Sequence, residues 1–413
     1  MTSSPRPSPF AAARRLGLLN VFFMSLAVLG VAAWLTSVWQ HRLDPAFWQR
    51  DWYVGWSAAR GFLDAGTEGL YSTDFSTGYF WLYPPYTLYA WVPVALLAPA
   101  VAYGLLMTIV IGATAAALIL LRRSLPADGR FDTFALAVFA SSAFISVFVM
   151  AQNSALILLL VAGALWALKQ DREILAGLLI GLLGFKPNWV LGFVLWLAVT
   201  RRWRTLGTTA GVGALMLAST FPMGWGVWDA FLTSSEGWRA VVMTTDAYPL
   251  NKLITTHAFF QSVLGLDSTA GHWVWLLTEA AILVACLRVW LRRDSVAQQV
   301  AVTVLAAVSA NIYTNFYDSL VLAVPAAVWW MSRSRYKAGA WKGIGVVICA
   351  AWLLLWISIY TPLWPGQHSL VGACVLAWLM LEATVAGRGA LLAEPDPGYT
   401  FAGPDHGGRS SVG

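Results

Sequence analysis

Charged residues are scarce in this sequence. Only 11% of the 413 residues are Asp, Glu, Lys or Arg, whereas 59% are hydrophobic and 24 are tryptophan. An ordinary soluble domain has about 25% charged residues, so the composition excludes that class. Apolar runs that match the roughly 20 residues of a bilayer-spanning helix recur along the chain, for example residues 16–35 and 274–291. We therefore predict an all-α polytopic membrane protein.

Cysteine and histidine are also rare, and the sequence contains no motif of a common catalytic site. Cys286, Cys349 and Cys374 lie inside predicted apolar spans, where a thiol packs like a small hydrophobic side chain. The five histidines are scattered. There is no Gly-rich nucleotide loop, no Ser/His/Asp signature and no metal-ligand spacing. We therefore expect no cofactor, no resident metal site and no cytosolic nucleotide chemistry. The sequence does not decide whether the reaction requires a divalent metal ion.

The basic residues predict the orientation of the chain in the membrane. They fall in small clusters between apolar runs, and every second connection is basic. The residues behind the net charge of +6 are therefore spread over several loops and do not form the single basic face of a nucleic-acid-binding protein. Cytoplasmic loops are enriched in Lys and Arg. The clusters are Arg14/Arg15, Arg122/Arg123/Arg130, Lys169/Arg172, Arg201/Arg202/Arg204, Arg292/Arg293, Arg333/Arg335/Lys337/Lys342 and Arg388. The connections predicted to lie outside are residues 40–99, the turns near 150–153 and 186–188, residues 223–271, the turn near 312–316 and residues 361–367.

This alternation requires residues 174–200 to cross twice, as two short arms that meet at Lys186-Pro187-Asn188. The total is then about 11–12 transmembrane helices. Short interrupted helices are tolerated only where they line a cavity or pack against protein, so Lys186 is expected at an aqueous, outward-facing cavity. Residues 83–99 contain several prolines and fit a re-entrant or interfacial element, since a further crossing there would turn Arg122 outward.

The chain is predicted to form one membrane domain, residues 17–388, between two cytoplasmic tails. The tails, residues 1–16 and 389–413, are rich in Pro, Gly, Ser and charge and have too little apolar surface to fold alone. Within the domain, residues 40–99 form the first outer loop and residues 223–271 a long outer loop.

Acidic residues of the first outer loop are candidates for chemistry. Asp51 either caps an interfacial helix, because Asp is a favoured N-cap residue, or takes part in a reaction. Asp44, Asp64, Glu68 and Asp74 lie in the same loop, and periodicity alone does not choose among the five.

Further candidates lie at predicted turns and inside spans. Gln152-Asn153 either bind a substrate or only satisfy backbone groups at helix ends. Lys186 is costly at membrane depth unless it reaches water or meets an anion, and phosphate is a natural anion for it. Glu279 is either an interhelical hydrogen-bonding group or part of a proton relay. The polar and aromatic residues of 223–271 suit a sugar or headgroup, and equally a lid.

Several short motifs follow one another along the chain. They are Asp51-Trp52-Tyr53-Val54 with Ala58-Ala59, Gly66 and Leu70-Tyr71; Phe80-x-x-Tyr83-Pro84-Pro85; Gln152-Asn153 before a Leu-rich run; and Ala176-Gly177-x-x-x-Gly181 leading to Lys186-Pro187. In this order, over roughly residues 45–325, they resemble glycosyltransferase family 87, integral-membrane GT-C enzymes that use polyprenyl-phosphate sugars.

The sequence departs from the family pattern late in the chain. Many members carry Ser-Pro-x-Ser-Trp-x-His-His there, whereas residues 310–318 read ANIYTNFYD, without either histidine. Tyr317-Asp318, before an apolar run, are expected to fill the same space. The departure bears on the sugar and the acceptor more than on the reaction class.

The resemblance implies a GT-C-type bundle with outward-facing juxtamembrane helices. It also implies that Asp51 is the catalytic base and that Lys186 binds the donor phosphate. The other residues that it implies at the substrate site are Tyr83, Gln152, Asn153, Asn188, Tyr317 and Asp318.

The implied reaction is inverting transfer of a sugar, mannose by the resemblance, at the outer face of a bacterial inner membrane. The implied partners are a polyprenyl-phosphate sugar donor, a glycolipid or envelope-glycan acceptor, and membrane lipids; no nucleic acid is expected. Two alternatives are a membrane transporter or lipid flippase, for which broken helices are typical, and a subunit without catalysis. The signature of the transporter would be broken helices at the membrane mid-plane with Lys186 and Glu279, but the two halves of the sequence show no convincing repeat, which counts against it.

Overall fold

The computed structural model describes residues 9–41, 51–68, 70–71, 81–126, 128–243, 252–265, 269–292, 295–360 and 367–386. Within these ranges the regular structure is helical, and the β-structure is one isolated bridge between Leu253 and Asn315. The all-α prediction is therefore confirmed for the part of the chain that the structure describes.

Seventeen α-helices and five short 3₁₀ segments make up the described chain. The α-helices are α1 Pro9–His41, α2 Asp51–Ala65, α3 Leu88–Ala95, α4 Pro99–Ser124, α5 Arg130–Phe139, α6 Ser142–Met150, α7 Ser154–Lys169, α8 Glu173–Leu182, α9 Pro187–Val199, α10 Trp203–Ala218, α11 Gly226–Met243, α12 Thr256–Ser262, α13 Thr269–Trp290, α14 Val296–Ser309, α15 Ala323–Met331, α16 Ala338–Tyr360 and α17 Ser369–Ala386. The 3₁₀ segments are Pro85–Thr87, Leu183–Phe185, Phe221–Met223, Phe316–Leu322 and Arg333–Arg335.

Several of these helices are long and apolar enough to cross a membrane. Among the described residues the five are Gly17–Thr36, Pro99–Ser124, Trp203–Met223, Ala270–Trp290 and Ala338–Ile357, and α5 with α6, bent by 47°, forms a sixth candidate. Six shorter apolar helices accompany them. A polytopic membrane protein is thus confirmed, and the count of 11–12 crossings stays a prediction.

The helices run alternately between two ends of the bundle. Helix α4 ends at the basic pair Arg122 and Arg123, α7 ends at Lys169, and α9 ends beside Arg201. With a rise of 1.5 Å per residue, the two ends of the 16-residue α7 lie about 24 Å apart. We call the end with these basic residues the basic end, and the end with residues 151–153, 186–187 and 311–318 the site end.

The predicted break in residues 174–200 is present. Helix α8 passes into the 3₁₀ turn Leu183–Phe185 and stops at Lys186, and Pro187 opens α9. Proline lacks a backbone N–H and is compatible with the first helical position, which explains why a new helix starts there. Helix α3 in the predicted re-entrant segment has eight residues, about 12 Å at 1.5 Å per residue, too short to cross a bilayer.

The glycine motif of the family resemblance lies where α8 contacts α10. A Cβ at Gly177 would lie 2.5 Å from the Thr205 carbonyl oxygen, and one at Gly181 would lie 2.6 Å from Cβ of Val212. Small residues at this spacing allow two helices to approach closely in a membrane. The pairs 177–205 and 181–212 also show that α8 and α10 run in the same direction, with the break at Lys186 between them.

At the N-terminal end the structure differs from the prediction, and the C-terminal end lies outside the described residues. Helix α1 begins at Pro9, inside the predicted tail 1–16, because the alanines at 11–13 are strong helix formers that extend the apolar helix. The predicted tail 389–413 lies outside the described residues.

Candidate active site

The site begins at the turn between α6 and α7. Ala151 has a left-handed backbone with φ 46°, and the Gln152 N–H donates to the Val147 carbonyl at 2.9 Å. This bond closes the end of α6 in the manner of a Schellman cap. The turn leaves the side chains of Gln152, Asn153 and Ser154 to project toward three other segments.

Each of these three consecutive side chains bonds a different segment. Gln152 Nε2 donates to Asp51 Oδ2 at 3.0 Å, Asn153 Nδ2 donates to the Tyr83 hydroxyl at 2.9 Å, and Ser154 Oγ donates to Asp318 Oδ1 at 2.6 Å. Asn153 makes no side-chain cap bond. The side chains of Gln152 and Asn153 therefore do more than satisfy backbone groups at helix ends. They join separate segments of the chain at one place.

Asp51 is the accessible carboxyl group of this cluster. It is the first residue of α2 and its side chain is exposed. Surrounding protein removes much of its hydration from the other sides, and this desolvation raises the pKa of the Asp51 carboxyl above its ordinary value, against the opposing influence of Lys252 and of hydrogen bonds from Tyr317 and Gln152. A carboxylate with a raised pKa is a stronger base, and its exposure allows an incoming group to reach it.

Helix α2 is held in place by aromatic packing. The Trp52 side chain is 1% exposed, and its ring lies 5.4 Å from the Tyr103 ring. Trp56 Nε1 donates to the Leu97 carbonyl at 3.1 Å. A Cβ at Gly55 would lie 2.4 Å from the Trp91 ring, so only glycine allows α3 to lie this close. These contacts fix the direction in which Asp51 leaves the helix.

Lys186 and Asp318 form a buried ion pair behind Asp51. Lys186 Nζ donates to both carboxylate oxygens of Asp318 at 2.8 Å, and Asp318 is 0% exposed. Asp318 also accepts from Ser154 and, at 3.2 Å, from the Asn315 N–H in a capping box. Lys186 was expected at an aqueous cavity; instead its side chain is buried, because Asp318 supplies the counter-charge.

Two tyrosines line the same cluster. The Tyr83 hydroxyl accepts from Asn153, and burial raises the pKa of Tyr83 well above its ordinary value, so this hydroxyl stays protonated. The Tyr317 hydroxyl accepts from Asn315 Nδ2 at 2.9 Å, and the Tyr317 ring lies 6.0 Å from Lys186 Nζ. Both hydroxyl groups act as neutral hydrogen-bonding groups around Asp51.

Asn188 is the predicted site residue that lies apart. Its Nδ2 donates to the Tyr313 carbonyl at the long distance of 3.4 Å, and it lines a separate cavity with Glu279. The structure brings the other predicted residues together: Asp51, Tyr83, Gln152, Asn153, Lys186, Tyr317 and Asp318. Glu279 accepts from the Thr256 hydroxyl at 3.3 Å, the interhelical bond that was one of its two expected roles.

The alternative acids of the first outer loop lie elsewhere or outside the described residues. Asp64 pairs with Arg60 on the exposed face of α2 at 3.5 Å, and Glu68 is exposed in the turn that follows α2. Asp44 and Asp74 lie outside the described residues. Of the acids that the structure describes in this loop, Asp51 is the one that contacts the cluster.

Two residues of the site, Ser154 and Asn315, were not selected from the sequence. Ser154 directly follows Gln152-Asn153, and the Asn-x-x-Asp spacing of Asn315 and Asp318 is a capping pattern that could have been recognised. Lys252 was one of the polar residues of the long outer loop 223–271 that suited a sugar or headgroup. It is exposed, and the Leu253–Asn315 bridge and the bond from the Ile254 N–H to the Thr314 carbonyl at 2.9 Å place it beside the cluster.

The polar groups of the cluster are suited to binding hydroxyl and phosphate groups. It combines an accessible carboxylate, two amides, two neutral tyrosines and the cations Lys186 and Lys252. Among the described residues no group of three or more His, Cys, Asp or Glu side chains could hold a metal ion.

Comparison with known proteins gives a match to a family model. The family model described as glycosyltransferase family 87 matches residues 81–254, and no curated protein matches the chain. The matched segment contains Tyr83, Gln152, Asn153 and Lys186; Asp51 and Asp318 lie outside it but hydrogen-bond to Gln152 and Lys186 within it. The resemblance predicted from the motifs is thereby confirmed over residues 81–254, which match glycosyltransferase family 87 within a helical membrane protein.

Proposed function

We propose that the protein is an inverting glycosyltransferase that moves mannose from a polyprenyl-phosphate donor to a lipid-linked or envelope-glycan acceptor. The observation that carries the proposal is the accessible Asp51 carboxylate, hydrogen-bonded by Gln152 of the family-matched segment at 3.0 Å. The reaction takes place at the outer face of a bacterial inner membrane. The family assignment argues against the transporter alternative.

Asp51 acts as the general base. A sugar hydroxyl is a weak nucleophile, so a carboxylate within hydrogen-bonding distance removes its proton as the oxygen attacks the anomeric carbon. The acceptor oxygen forms the new bond to that carbon, the bond from the carbon to the phosphate oxygen breaks, and the proton passes to Asp51. Polyprenyl phosphate leaves with the bonding electrons.

The lysines stabilise the leaving phosphate. An ammonium group has three hydrogens, and Asp318 takes two of those of Lys186, so the third is available to a phosphate oxygen. Lys252 is exposed and adds a second cation near Asp51. Positive groups at the position where negative charge develops lower the barrier of such a transfer.

The carboxyl groups of the cluster are consistent with a single displacement at the anomeric carbon. A retaining enzyme uses a second carboxylate as nucleophile. Asp318 is 0% exposed and its oxygens accept from Lys186, Ser154 and Asn315, so it is not free to attack an anomeric carbon. The anomeric configuration is then inverted in one step.

Transfer chemistry is tested directly with purified protein in proteoliposomes. With a polyprenyl-phosphate β-mannose donor and methyl α-mannoside as acceptor, we expect an α-linked product, identified by NMR, and release of polyprenyl phosphate. GDP-mannose as donor serves as the control and is expected to give no product. A β-linked product, or transfer from GDP-mannose alone, contradicts the proposed mechanism.

The orientation follows from the two ends of the bundle. The cluster lies at the site end, whereas Arg122, Arg123, Lys169 and Arg201 lie at the basic end. Cytoplasmic loops are the ones enriched in Lys and Arg, so we place the site end outside. Of the residues predicted to face outward, Tyr248 lies outside the described residues.

Cysteine labelling in intact cells tests the orientation. In a background with Cys286, Cys349 and Cys374 replaced by serine, an impermeant maleimide is expected to label Lys252→Cys and not Arg123→Cys, two exposed positions at opposite ends. Arg123→Cys is expected to react only after permeabilisation, as is Arg202→Cys, the position placed inside from the sequence. Labelling of Arg123→Cys in intact cells would reverse the orientation.

A further inference from the structure

A large cavity lies at the basic end, where α8 and α10 begin. Its volume is about 1320 Å³, which exceeds the roughly 300–1,000 Å³ of a typical small-molecule pocket. The residues that line it fall within 171–178 and 201–208. Helix α8 has ten residues, about 15 Å at 1.5 Å per residue, and it separates this cavity from the turn at Lys186. The cavity is therefore distinct from the site around Asp51.

Three arginines line this cavity. Arg172, Arg201 and Arg204 are all exposed. Among the residues that the structure describes, the guanidinium groups of Arg201 and Arg204 have no hydrogen-bond or ion-pair partner, whereas that of Arg172 lies 5.2 Å from the centre of the Trp166 ring. A guanidinium presents a planar fork of N–H donors that matches the oxygens of a phosphate group. The cavity therefore offers free donors to an anion.

The acidic residues of the lining do not balance these arginines. Glu173 Oε1 lies 4.0 Å from Nη1 of Arg202, which is not itself a lining residue. Asp171, in the connection before α8, is exposed. Three arginines thus stand against one acid that has no ion-pair partner in the described part of the chain. The local charge favours an anionic ligand.

The first turns of α8 and α10 add backbone donors at the same place. The N-cap residues are Arg172 and Arg202, and neither helix has a side-chain cap. The first N–H groups of a helix have no acceptor within it, and they form the positive end of the helix dipole. Because Gly177 packs against the Thr205 carbonyl, the two first turns lie side by side. Both helices therefore direct the positive ends of their dipoles toward the same end.

The side of the cavity that α8 presents to the membrane is apolar. Ile174 is 65%, Leu178 41% and Leu182 43% exposed, and residues four positions apart form one stripe along a helix. Trp203, at the start of α10, is 62% exposed, and tryptophan is enriched where a membrane protein meets the lipid headgroups. These surfaces match a ligand that joins a phosphate to hydrocarbon chains.

We propose that this cavity binds the phosphate headgroup of an anionic phospholipid in the leaflet at the basic end. Arg201 and Arg204 bind the phosphate oxygens, and the acyl chains lie against the stripe of Ile174, Leu178 and Leu182. The volume of the cavity provides space for the headgroup and the beginning of the chains. The inference goes beyond the proposed function, because binding of this lipid is measured without any sugar transfer.

Photolabelling of the full-length protein in a nonionic detergent tests the site. The probe is phosphatidylglycerol with a diazirine in one acyl chain, and the labelled positions are mapped by peptide mass spectrometry. We expect labels within residues 174–182 and 203–208. Unlabelled phosphatidylglycerol is expected to compete. Phosphatidylcholine, which has the same chains and no net charge, and inorganic phosphate, which has no chain, are not.

Removal of charge gives the matched comparison. Arg201→Gln with Arg204→Gln removes the two free guanidinium groups. This variant should raise the probe concentration for half-maximal labelling about tenfold or more, the effect of losing two basic residues beside an anionic lipid. The control is Arg122→Gln with Arg123→Gln, which removes the same charge from the end of α4, outside the cavity, and should leave half-maximal labelling nearly unchanged.

A bulky residue tests the shape of the cavity while every charge is kept. Gly207 lines the cavity, and a Cβ at this position would meet nothing within 4 Å. Gly207→Phe is therefore expected to fold, to occupy the cavity and to reduce labelling. Gly211→Phe, one turn further along α10 and outside the lining, also has open space around its Cβ and should label like the wild type.

The proposal is overturned by labels that fall outside the two segments or by competition from phosphatidylcholine, since either shows that the cavity has no preference for an anionic lipid. Competition by inorganic phosphate would assign the cavity to a soluble anion. An equal loss of labelling in both arginine pairs would show that the whole basic end attracts anionic lipid. If the Arg201/Arg204 variant does not fold, the wild-type label map and Gly207→Phe still decide.

Discussion

Asp51→Asn is expected to lower turnover by about 100-fold to 10,000-fold, the usual effect of losing a general base, while the protein folds normally. Asparagine keeps the size of the side chain but does not accept the acceptor's proton. If Asp51 were only a helix cap, the same substitution would leave turnover almost unchanged, because Asn caps a helix about as well as Asp. The measurement is the rate of transfer from a polyprenyl-phosphate sugar by purified, reconstituted protein.

The matched control for this experiment is Asp64→Asn. Asp64 lies on the same helix, is exposed and pairs with Arg60 at 3.5 Å, and a surface pair of this kind contributes little. Turnover of Asp64→Asn should stay within about twofold of the wild type, in line with so weak a pair. Wild-type activity of Asp51→Asn would return the base to Asp44, Asp64, Glu68, Asp74 or Asp318.

The pH dependence gives a second measure of the same residue. The base must be deprotonated, so kcat/KM falls as the pH drops through the pKa of Asp51 in the free enzyme. Because desolvation raises this pKa, the acid limb of the profile should lie above the ordinary Asp value of about 3.9. A limb at or below that value would indicate that another group is the base.

Lys186→Ala is expected to have the largest effect on stability, about 3–5 kcal/mol, the typical result of removing one partner of a buried ion pair. The substitution leaves the Asp318 carboxylate, which is 0% exposed, without its counter-charge. Asp318→Leu leaves the ammonium of Lys186 buried and unpaired in the same way. The measurement is unfolding in detergent by heat or denaturant, followed by tryptophan fluorescence.

The double variant separates the structural role of the pair from its role in donor binding. Replacing a buried pair by apolar residues of similar volume is often neutral or stabilising, so Lys186→Met with Asp318→Leu should recover most of the lost stability. It should still use the polyprenyl-phosphate donor poorly, whereas Lys186→Arg keeps partial activity because it keeps the charge. A double variant with normal donor dependence would assign Lys186 to packing alone, and single variants as stable as the wild type would contradict the structural role.

The motif residues of the site could be predicted because they stand next to recognisable local features. Gln152 and Asn153 follow the end of one apolar run and precede another, and Lys186 precedes the proline that opens α9. Asn188 was grouped with them because it is two residues from Lys186, yet its side chain leaves α9 toward the cavity that it lines with Glu279. Along a helix, residues two positions apart point in different directions, so chain proximity alone misled.

The partners of Lys186 and Asp51 could not be read from the chain. Lys186 is 132 positions from Asp318, and Gln152 is 101 positions from Asp51. A lysine at a helix break predicts an anion nearby. From the sequence alone, a bound phosphate and a buried carboxylate satisfy this requirement equally well. The arrangement of α7, α9 and the Phe316–Leu322 segment decided for the carboxylate.

The sequence by itself determined the class of the protein, its resemblance to glycosyltransferase family 87 and the break at Lys186-Pro187. These properties are local: a membrane helix satisfies its backbone hydrogen bonds within its own segment, so apolar length predicts a span, and proline interrupts a helix wherever it stands. Only the tertiary structure decided that Lys186 is paired, that Asp51 is the accessible carboxylate, and that a separate cavity lies beside Asn188. Burial and pairing of these groups depend on which helices contact each other, and in this protein those contacts join residues more than a hundred positions apart.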